Sequence, residues 1–474
     1  MLKVLHVGWW TLEYRKIGGI PIHVETLMKY LHKHGCENVY FCGGRYNLLS
    51  KSVYLKKWTK PYTKIYELVN SPNIVCSYES TPTHIQCEPI EKLFNKVLEI
   101  EKPDVIHFHE LESLTGSLLT IARLKNIPSI VGVHNYWYLC PQIELIDVNR
   151  QKCNDFLNGE KCVSCVVIPL NSRFGRIYGM YGGYFRNTFI GKIFEPIAIK
   201  LYKLVNKWYY PLFNTAEPEK KLPSSIFLRR RQLFVDELNK AQAIIFPSER
   251  VKEIYAEHQV TNKNSIVMHP ININYLRIKP KDPSLHPKPG KIIFGYIGRI
   301  VKEKGVHVIV DAARMLENYK NRFRVLIFGG GDELYISEYI SQSKEEIVKS
   351  NIEFKGRYSP GEIQKVLSSI DVAIVPSIWE DCAPIVLNEL RLSKTPIIAS
   401  RIGGIPEAVE HGVNGFLFEP GNAEELAHYM KYFIENPQEV SKFMERTNWS
   451  FDIDKYAEET IEIYKTAIAK LHGS

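Results

Sequence analysis

The chain has 474 residues, 45% hydrophobic and 24% charged, with a formal net charge of +9; that length is enough for two domains, each with its own core. No run approaches the eighteen or more uninterrupted apolar residues of a membrane span, and the apolar opening MLKVLHVGWW lacks the basic region and small-residue cleavage site of a secretory leader. The expectation is a cytoplasmic chain whose nine cysteines are thiols and not a disulfide framework.

Short apolar, β-branched runs alternate with amphipathic stretches, the pattern of βα units around a parallel sheet. In the first half the runs at 3–8, 39–43, 105–109, 129–134 and 243–248 read as strands, with helical patterns at 23–35 and 90–102 between them. Gly35 is a helix stop, because glycine accepts the left-handed conformation there. The Pro- and Lys-rich stretch 279–290 has no periodic core and reads as a linker. A second series comes after it, with strands at 291–298, 323–330, 372–377 and 395–400, and residues 452–471 read as an amphipathic helix packing back on the first domain.

Open α/β sheets bind ligands beyond the carboxyl ends of their strands, so the informative residues belong just after strands. Gly18 and Gly19 precede a helix starting near Pro21, where backbone N–H groups and the helix N-terminus suit a phosphate; an ordinary tight turn explains them equally well. The loop carries no G-x-G-x-x-G, which disfavours a dinucleotide oxidoreductase. After the strand at 291–298, Arg299 and Lys304 form a pair able to clamp a diphosphate, the competing reading being a solvated basic loop. In PSIWEDCAPIVLNEL (376–390), Pro384 opens a helix, Asp381 lies in the loop before it and Glu389 inside it. Two acceptor carboxylates at two depths suit sugar hydroxyls, against a plain cap and a surface helix residue. Residues 403–407 read as a Gly-rich turn into a helix, and 412–427 as a turn followed by a capped helix.

With GGIPIH (18–23), DVIHFHE (104–110), VHNYW (133–137), GRIVKEKG (298–305), the Asp381/Glu389 segment and IGGIPEAVEHGVNGFLF (402–418), the chain resembles the retaining glycosyltransferases of family 4, the glycosyl transferases group 1. The resemblance implies a GT-B fold: two facing Rossmann-like domains with a deep interdomain cleft and a C-terminal helix crossing back to the first. Residues 1–272 and 453–474 would form the acceptor-side domain, and 273–452 the domain that binds a nucleotide-diphosphate sugar. By resemblance Arg299 and Lys304 meet the donor diphosphate, with Gly19 near it, and Glu389 meets the ribose. Asp381 stands where the family has the first glutamate of E-x7-E, so adjacent Glu380 is a second candidate for the donor sugar. His134 matches a histidine near the anomeric centre, and His109 and Glu110 line the acceptor side. The implied chemistry retains configuration and needs no metal or other cofactor.

Cys140, Cys153, Cys162 and Cys165 have the spacing C-x12-C-x8-C-x2-C, whose last pair is a metal knuckle. Structural zinc, an iron–sulfur cluster and four unligated thiols all fit it. From about 166 to 231 an insertion carries many bases and aromatics, among them Arg173, Lys200, Trp208 and Arg229 to Arg231, against only Glu195, Glu217 and Glu219 between Arg173 and Arg231. Peripheral association with the inner face of an anionic membrane, serving a lipid-linked or polysaccharide glycan precursor, is the expectation; a solvated hairpin is the plainer one. No nucleic-acid module accompanies the bases, so none is expected as partner. A small soluble acceptor, or a non-catalytic nucleotide-sugar binder, are the rival readings.

Overall fold

The computed structural model describes residues 1–12, 19–45, 47, 50, 52–73, 80–147, 151–165, 222–287, 290–331 and 346–472. Gly18 and residues 166–221 of the insertion lie outside them. The chain divides into two compact units: 1–246 with 253–267 and 454–474, and 247–252 with 268–453.

In the first unit eight strands form one sheet: β1 (Lys3–Gly8), β2 (Glu37–Arg45), β3 (Tyr54–Lys60), β4 (Thr63–Val69), β5 (Val105–Phe108), β6 (Ser129–Gly132), β7 (Ala243–Phe246) and β8 (Ser265–Val267). Their order is β3-β4-β2-β1-β5-β6-β7-β8. All neighbours are parallel except β3 and β4. Val4, Leu5 and Val7 of β1 are fully buried because helices cover both faces of such a sheet. The β3–β4 hairpin was not expected: YLKKWTK puts charges among its apolar residues, as an edge strand that discourages further pairing does. Buried Glu67 on β4 is answered by Arg45 Nη2 at 2.8 Å and Trp58 Nε1 at 3.1 Å.

Helix Gly19–Lys33 ends at Gly35, which has φ +85°. It starts four residues earlier than its apolar periodicity indicates. The C-terminal helix, Ile453–His472, packs within the first unit. Its Tyr464 hydroxyl lies 2.7 Å from His107 Nδ1, and Asp454 takes Lys33 at 2.6 Å and His34 at 2.8 Å.

The second unit is a six-stranded parallel sheet: β9 (Ile292–Ile297), β10 (Phe323–Phe328), β11 (Ile352–Gly356), β12 (Val372–Val375), β13 (Ile397–Ser400) and β14 (Gly415–Phe418), in the order β11-β10-β9-β12-β13-β14. Counted from β9 this is 3-2-1-4-5-6, the doubly wound order, whose switch point lies between β9 and β12.

Three sequence readings are corrected here. The described part of the expected linker, residues 279–287, is packed on the second unit: Lys281 is buried, its ammonium donates to the Ile370 carbonyl at 2.7 Å, and Ser441 Oγ donates to the His286 carbonyl at 2.6 Å. The Gly403–Glu407 turn leads into a single 3-10 turn, Ile405–Glu407, and not a longer helix. Gly415–Phe418, taken as part of a turn, is the edge strand β14; the helix after it, Ala423–Glu435, is capped by Asn422, whose side chain accepts from Glu425 N at 3.0 Å.

Candidate functional site

The switch point of the second unit brings two loops together. After β9 the chain runs through Gly298 and exposed Arg299 to Lys304, and after β12 through Ser377 to Asp381. The Lys304 ammonium and the Asp381 carboxylate form an ion pair, Ser377 Oγ donates to the same carboxylate oxygen at 3.1 Å, and the ammonium lies 5.5 Å from the centre of the Trp379 ring. The Arg299 guanidinium makes no ion pair or hydrogen bond among the described residues.

Glycines let these loops close on one another. A side-chain carbon on Gly305, at φ +71°, would stand 1.8 Å from the Pro376 carbonyl oxygen. On Gly403, at φ +59°, it would stand 2.3 Å from the Asp381 oxygen. The Gly404 N–H donates to that same oxygen at 2.8 Å, so the turn is fastened to the loop that carries the carboxylate.

Deeper in the same unit, Glu389 sits on helix Ile385–Leu392 and is 6% exposed. Burial pushes its carboxyl up to about 8, so it is protonated at neutral pH. Asn272 Nδ2 donates to Glu389 Oε1 at 3.1 Å. Glu380 takes a long contact from Arg250 Nη2 at 3.4 Å.

The first unit gathers histidines on one sheet face. His6 on β1 pairs in register with His107 on β5, and His109 comes two residues later, so strand periodicity aims all three the same way. His6 Nδ1 is 3.0 Å from His109 Nε2, and His6 Nε2 is 3.1 Å from Asn38 Oδ1. His134, after β6, and His23, from the first helix, complete the group, with ring centroids 5.2 Å apart. Ligand atoms of His6, His107 and His109 lie within 4.8 Å of one another, as do those of His23, His109 and His134.

Burial lowers His6 to about 4 and holds His107, His109 and His134 well below the usual histidine value, so these four rings are neutral. Gly132 makes room for two of them: a side-chain carbon there would come 3.2 Å from His107 Nε2 and 3.3 Å from His134 Nε2.

Beside the histidines lie two buried acids. Glu110 accepts from Trp9 Nε1, and Asn135 Nδ2 donates to Glu110 Oε1 at 2.6 Å and to Glu112 Oε1 at 3.0 Å. Burial raises both carboxyls, Glu112 to about 7 and Glu110 well above the usual carboxylate range, with the charge of Glu112 adding to the effect at Glu110. Sequence reasoning named Glu110 but missed Glu112, Asn135, His6 and His107. The runs VLHVG and VIHFH carried the signal for the two histidines, since parallel neighbours align them.

Apart from Gly18, which lies outside the described residues, each predicted residue has a place. Arg299, Lys304, Glu380, Asp381 and Glu389 belong to the second unit, and Gly19, His109, Glu110 and His134 to the first. The four cysteines Cys140, Cys153, Cys162 and Cys165 line one small pocket in the first unit. Among the described residues no helix is long and apolar enough to cross a membrane.

Two doubly wound units of this kind define a protein of the GT-B fold. The fold is shared with sucrose-phosphate synthase from Thermosynechococcus elongatus, at a TM-score of 0.63 and 16% identity over 99% of this chain and all of that one. It is shared also with HepE of Anabaena, solved in complex with UDP, at 0.57 and 14% over the whole of both chains.

The Glycosyltransferase Family 4 model matches residues 17–154 and the Glycosyl transferases group 1 model residues 278–448. The chain belongs to this glycosyltransferase family. An uncharacterized glycosyltransferase of Methanocaldococcus jannaschii is 26% identical over 185 residues, 36% of this chain and 44% of that protein. The glycogen synthase of Thermodesulfovibrio yellowstonii is 31% identical over 186 residues, 38% of this chain and 36% of that one. The matched stretch therefore spans less than half the length of each of these curated relatives.

Proposed function

We propose that the protein transfers a sugar from a nucleotide-diphosphate sugar to an acceptor, with the second unit holding the donor. One observation carries the reading: at the switch point of that unit Arg299 offers a guanidinium with no protein partner among the described residues, five positions before the Lys304 ammonium. Two cations at the end of a central strand suit the charge that grows on a departing diphosphate. HepE, solved with UDP and with UDP-glucose, supports a donor of that class in this fold.

In this reading Arg299 takes phosphate oxygens through its planar fork, and Lys304 turns from Asp381 to the diphosphate as the donor arrives. Asp381, freed by that turn, accepts from a hydroxyl of the donor sugar, with Glu380 beside it. Protonated Glu389 offers both a donor and an acceptor, which suits a ribose diol. Neutral His134 hydrogen-bonds near the anomeric carbon without adding positive charge there. His109 and Glu110 line the acceptor side, and the anomeric configuration is retained.

The acceptor is a lipid-linked or polysaccharide glycan precursor, favoured by the bases and aromatics of the insertion. A small soluble acceptor is the second reading. It is favoured by relatives named D-inositol 3-phosphate glycosyltransferase, in Corynebacterium urealyticum, and 2-deoxystreptamine glucosyltransferase, in Streptomyces kanamyceticus.

The test incubates the protein with a panel of nucleotide-diphosphate sugars and monitors release of free sugar and nucleoside diphosphate. Slow hydrolysis of one donor is expected, because a transferase leaks sugar to water. A panel in which no donor is either hydrolysed or bound overturns the reading.

A further inference from the structure

We propose that Cys140, Cys153, Cys162 and Cys165 bind one zinc ion as a closed tetrathiolate, with the guanidinium groups of Arg230 and Arg231 supplying its counter-charge. The proposal is independent of the donor reading.

The backbone already folds the two arms of the sequence towards one point. The Cys140 N–H closes a turn onto the Tyr136 carbonyl at 2.7 Å, and the Cys153 N–H donates to the Leu145 carbonyl at 2.7 Å. Between them Ile146 and Lys152 form an antiparallel bridge. Cys162 and Cys165 stand three apart on the short helix Glu160–Cys165, so both side chains leave the same face. The four thiols line one cavity of about 10 Å³ with Arg231. All four are free of disulfides.

Charge supplies a second, independent argument. Arg230 and Arg231, on helix Ser224–Lys240, are 1% and 8% exposed, yet neither makes an ion pair among the described residues. Arg230 Nη2 donates to the Trp137 carbonyl at 2.6 Å, while its Nε and Nη1 have no hydrogen-bond partner among the described residues. Arg231 Nε donates to the Leu139 carbonyl at 3.0 Å, and its guanidinium lies 3.6 Å from the centre of the Phe156 ring. Glu112 feels the Arg230 charge from beyond ion-pair distance. Buried cations are costly without a counter-charge. Four thiolates around Zn²⁺ carry a net charge of −2, which two guanidiniums balance. Arg231 stands within electrostatic reach of Cys162, Cys140 and Cys153, and also of the Asp155 carboxylate, with which it makes no ion pair among the described residues.

Local packing leaves a role for the ion. Around this segment the apolar cluster is small, Cys162 and Phe227 with four partly buried neighbours. Structural zinc commonly fastens a segment with so little core of its own. Among the described residues it is the histidines whose ligand atoms come within 4.8 Å in threes. The sulfurs ring their pocket more openly, so loading draws Cys153 and the short helix inward and releases the four thiol protons to solvent.

The test is metal analysis of tag-free full-length protein purified without chelator. It should hold about one zinc per chain, released in step as a mercurial modifies four thiols. Protein grown with cobalt in place of zinc should show the visible bands of a tetrahedral tetrathiolate. Cys162→Ser and Cys165→Ser should each lower zinc content at least ~10-fold, while Cys87→Ser, at a helix N-terminus and not among the residues lining the pocket, should retain it. If the site variants do not fold, the wild-type zinc content and cobalt spectrum still decide. Wild-type protein with less than about a tenth of a zinc per chain, iron with visible absorbance in place of zinc, or equal loss of metal in Cys87→Ser would overturn the proposal.

Discussion

Lys304 and Asp381 meet as an ion pair across 77 residues of sequence because β9 and β12, the strands that precede them, are neighbours at the switch point of the second sheet. Their pairing has a direct consequence for a phosphate ligand. The ammonium is 21% exposed in its side chain and the carboxylate 7%, so the cation is the partner an incoming anion can reach. Lys304→Ala should therefore weaken nucleoside diphosphate binding by about 10- to 100-fold, the worth of one charge-assisted hydrogen bond. The fold should persist, as shown by unchanged circular dichroism. Calorimetric titration of the two proteins measures the difference; equal affinities would remove Lys304 from the donor site.

Glu389 sets a stability slope on the alkaline side. Its folded value of about 8 lies above the ordinary 4.5, so between those values the native state holds a proton that the unfolded chain has released. Stability then falls as pH rises through that window. Glu389→Gln cannot ionise and keeps an oxygen for Asn272 Nδ2. It should match the wild type near pH 5 and exceed it by about 1–4 kcal/mol near pH 8. Urea unfolding at the two pH values checks this, and parallel wild-type and variant profiles would contradict it.

The histidine face gives the opposite slope. His6 titrates near 4 when folded and near 6.5 when unfolded, so the unfolded chain binds the extra proton and stability is lost as pH falls between those values. His107, His109 and His134 act in the same direction. His6→Gln should remove about 1–3 kcal/mol of the acid-side loss, read from urea midpoints at pH 7 and 4.5. An unchanged acid profile would mean that the ring is not buried neutral.

Gly305 is a purely steric case. With φ at +71° and a carbonyl 1.8 Å from where a side chain would begin, Gly305→Ala has to displace the loop that precedes Asp381. A stability loss above about 2 kcal/mol is expected, together with weakened nucleotide binding. Normal melting and binding by this variant would show that the two loops do not need their close approach.

Much of this arrangement was legible in the order of residues. Continuous apolar runs such as KIIFGYIG mark buried parallel strands. A doubly wound sheet presents its ligand groups just past the carboxyl ends of such strands, hence Arg299, Lys304 and Asp381. The pairing of Lys304 with Asp381 was not legible, because it depends on strand order and not on spacing. The β3–β4 hairpin escaped because Lys56, Lys57 and Lys60 hide its alternation. By composition alone Glu389 reads as a surface residue or a ligand group; its burial, and hence its proton, comes from tertiary packing around helix Ile385–Leu392. Asn135 and Glu112 lie in irregular loops, where no periodicity announces that one amide will bridge two acids.

The central claim is that Arg299 and Lys304 together hold the diphosphate of the donor. Calorimetric titration of a nucleoside diphosphate panel against wild type and the Arg299→Ala/Lys304→Ala double variant tests it most directly. At least one diphosphate should bind the wild type, and the double variant should bind it at least ~100-fold more weakly while melting as the wild type does. Undiminished binding by the folded double variant, or no binding of any diphosphate by the wild type, would contradict the account.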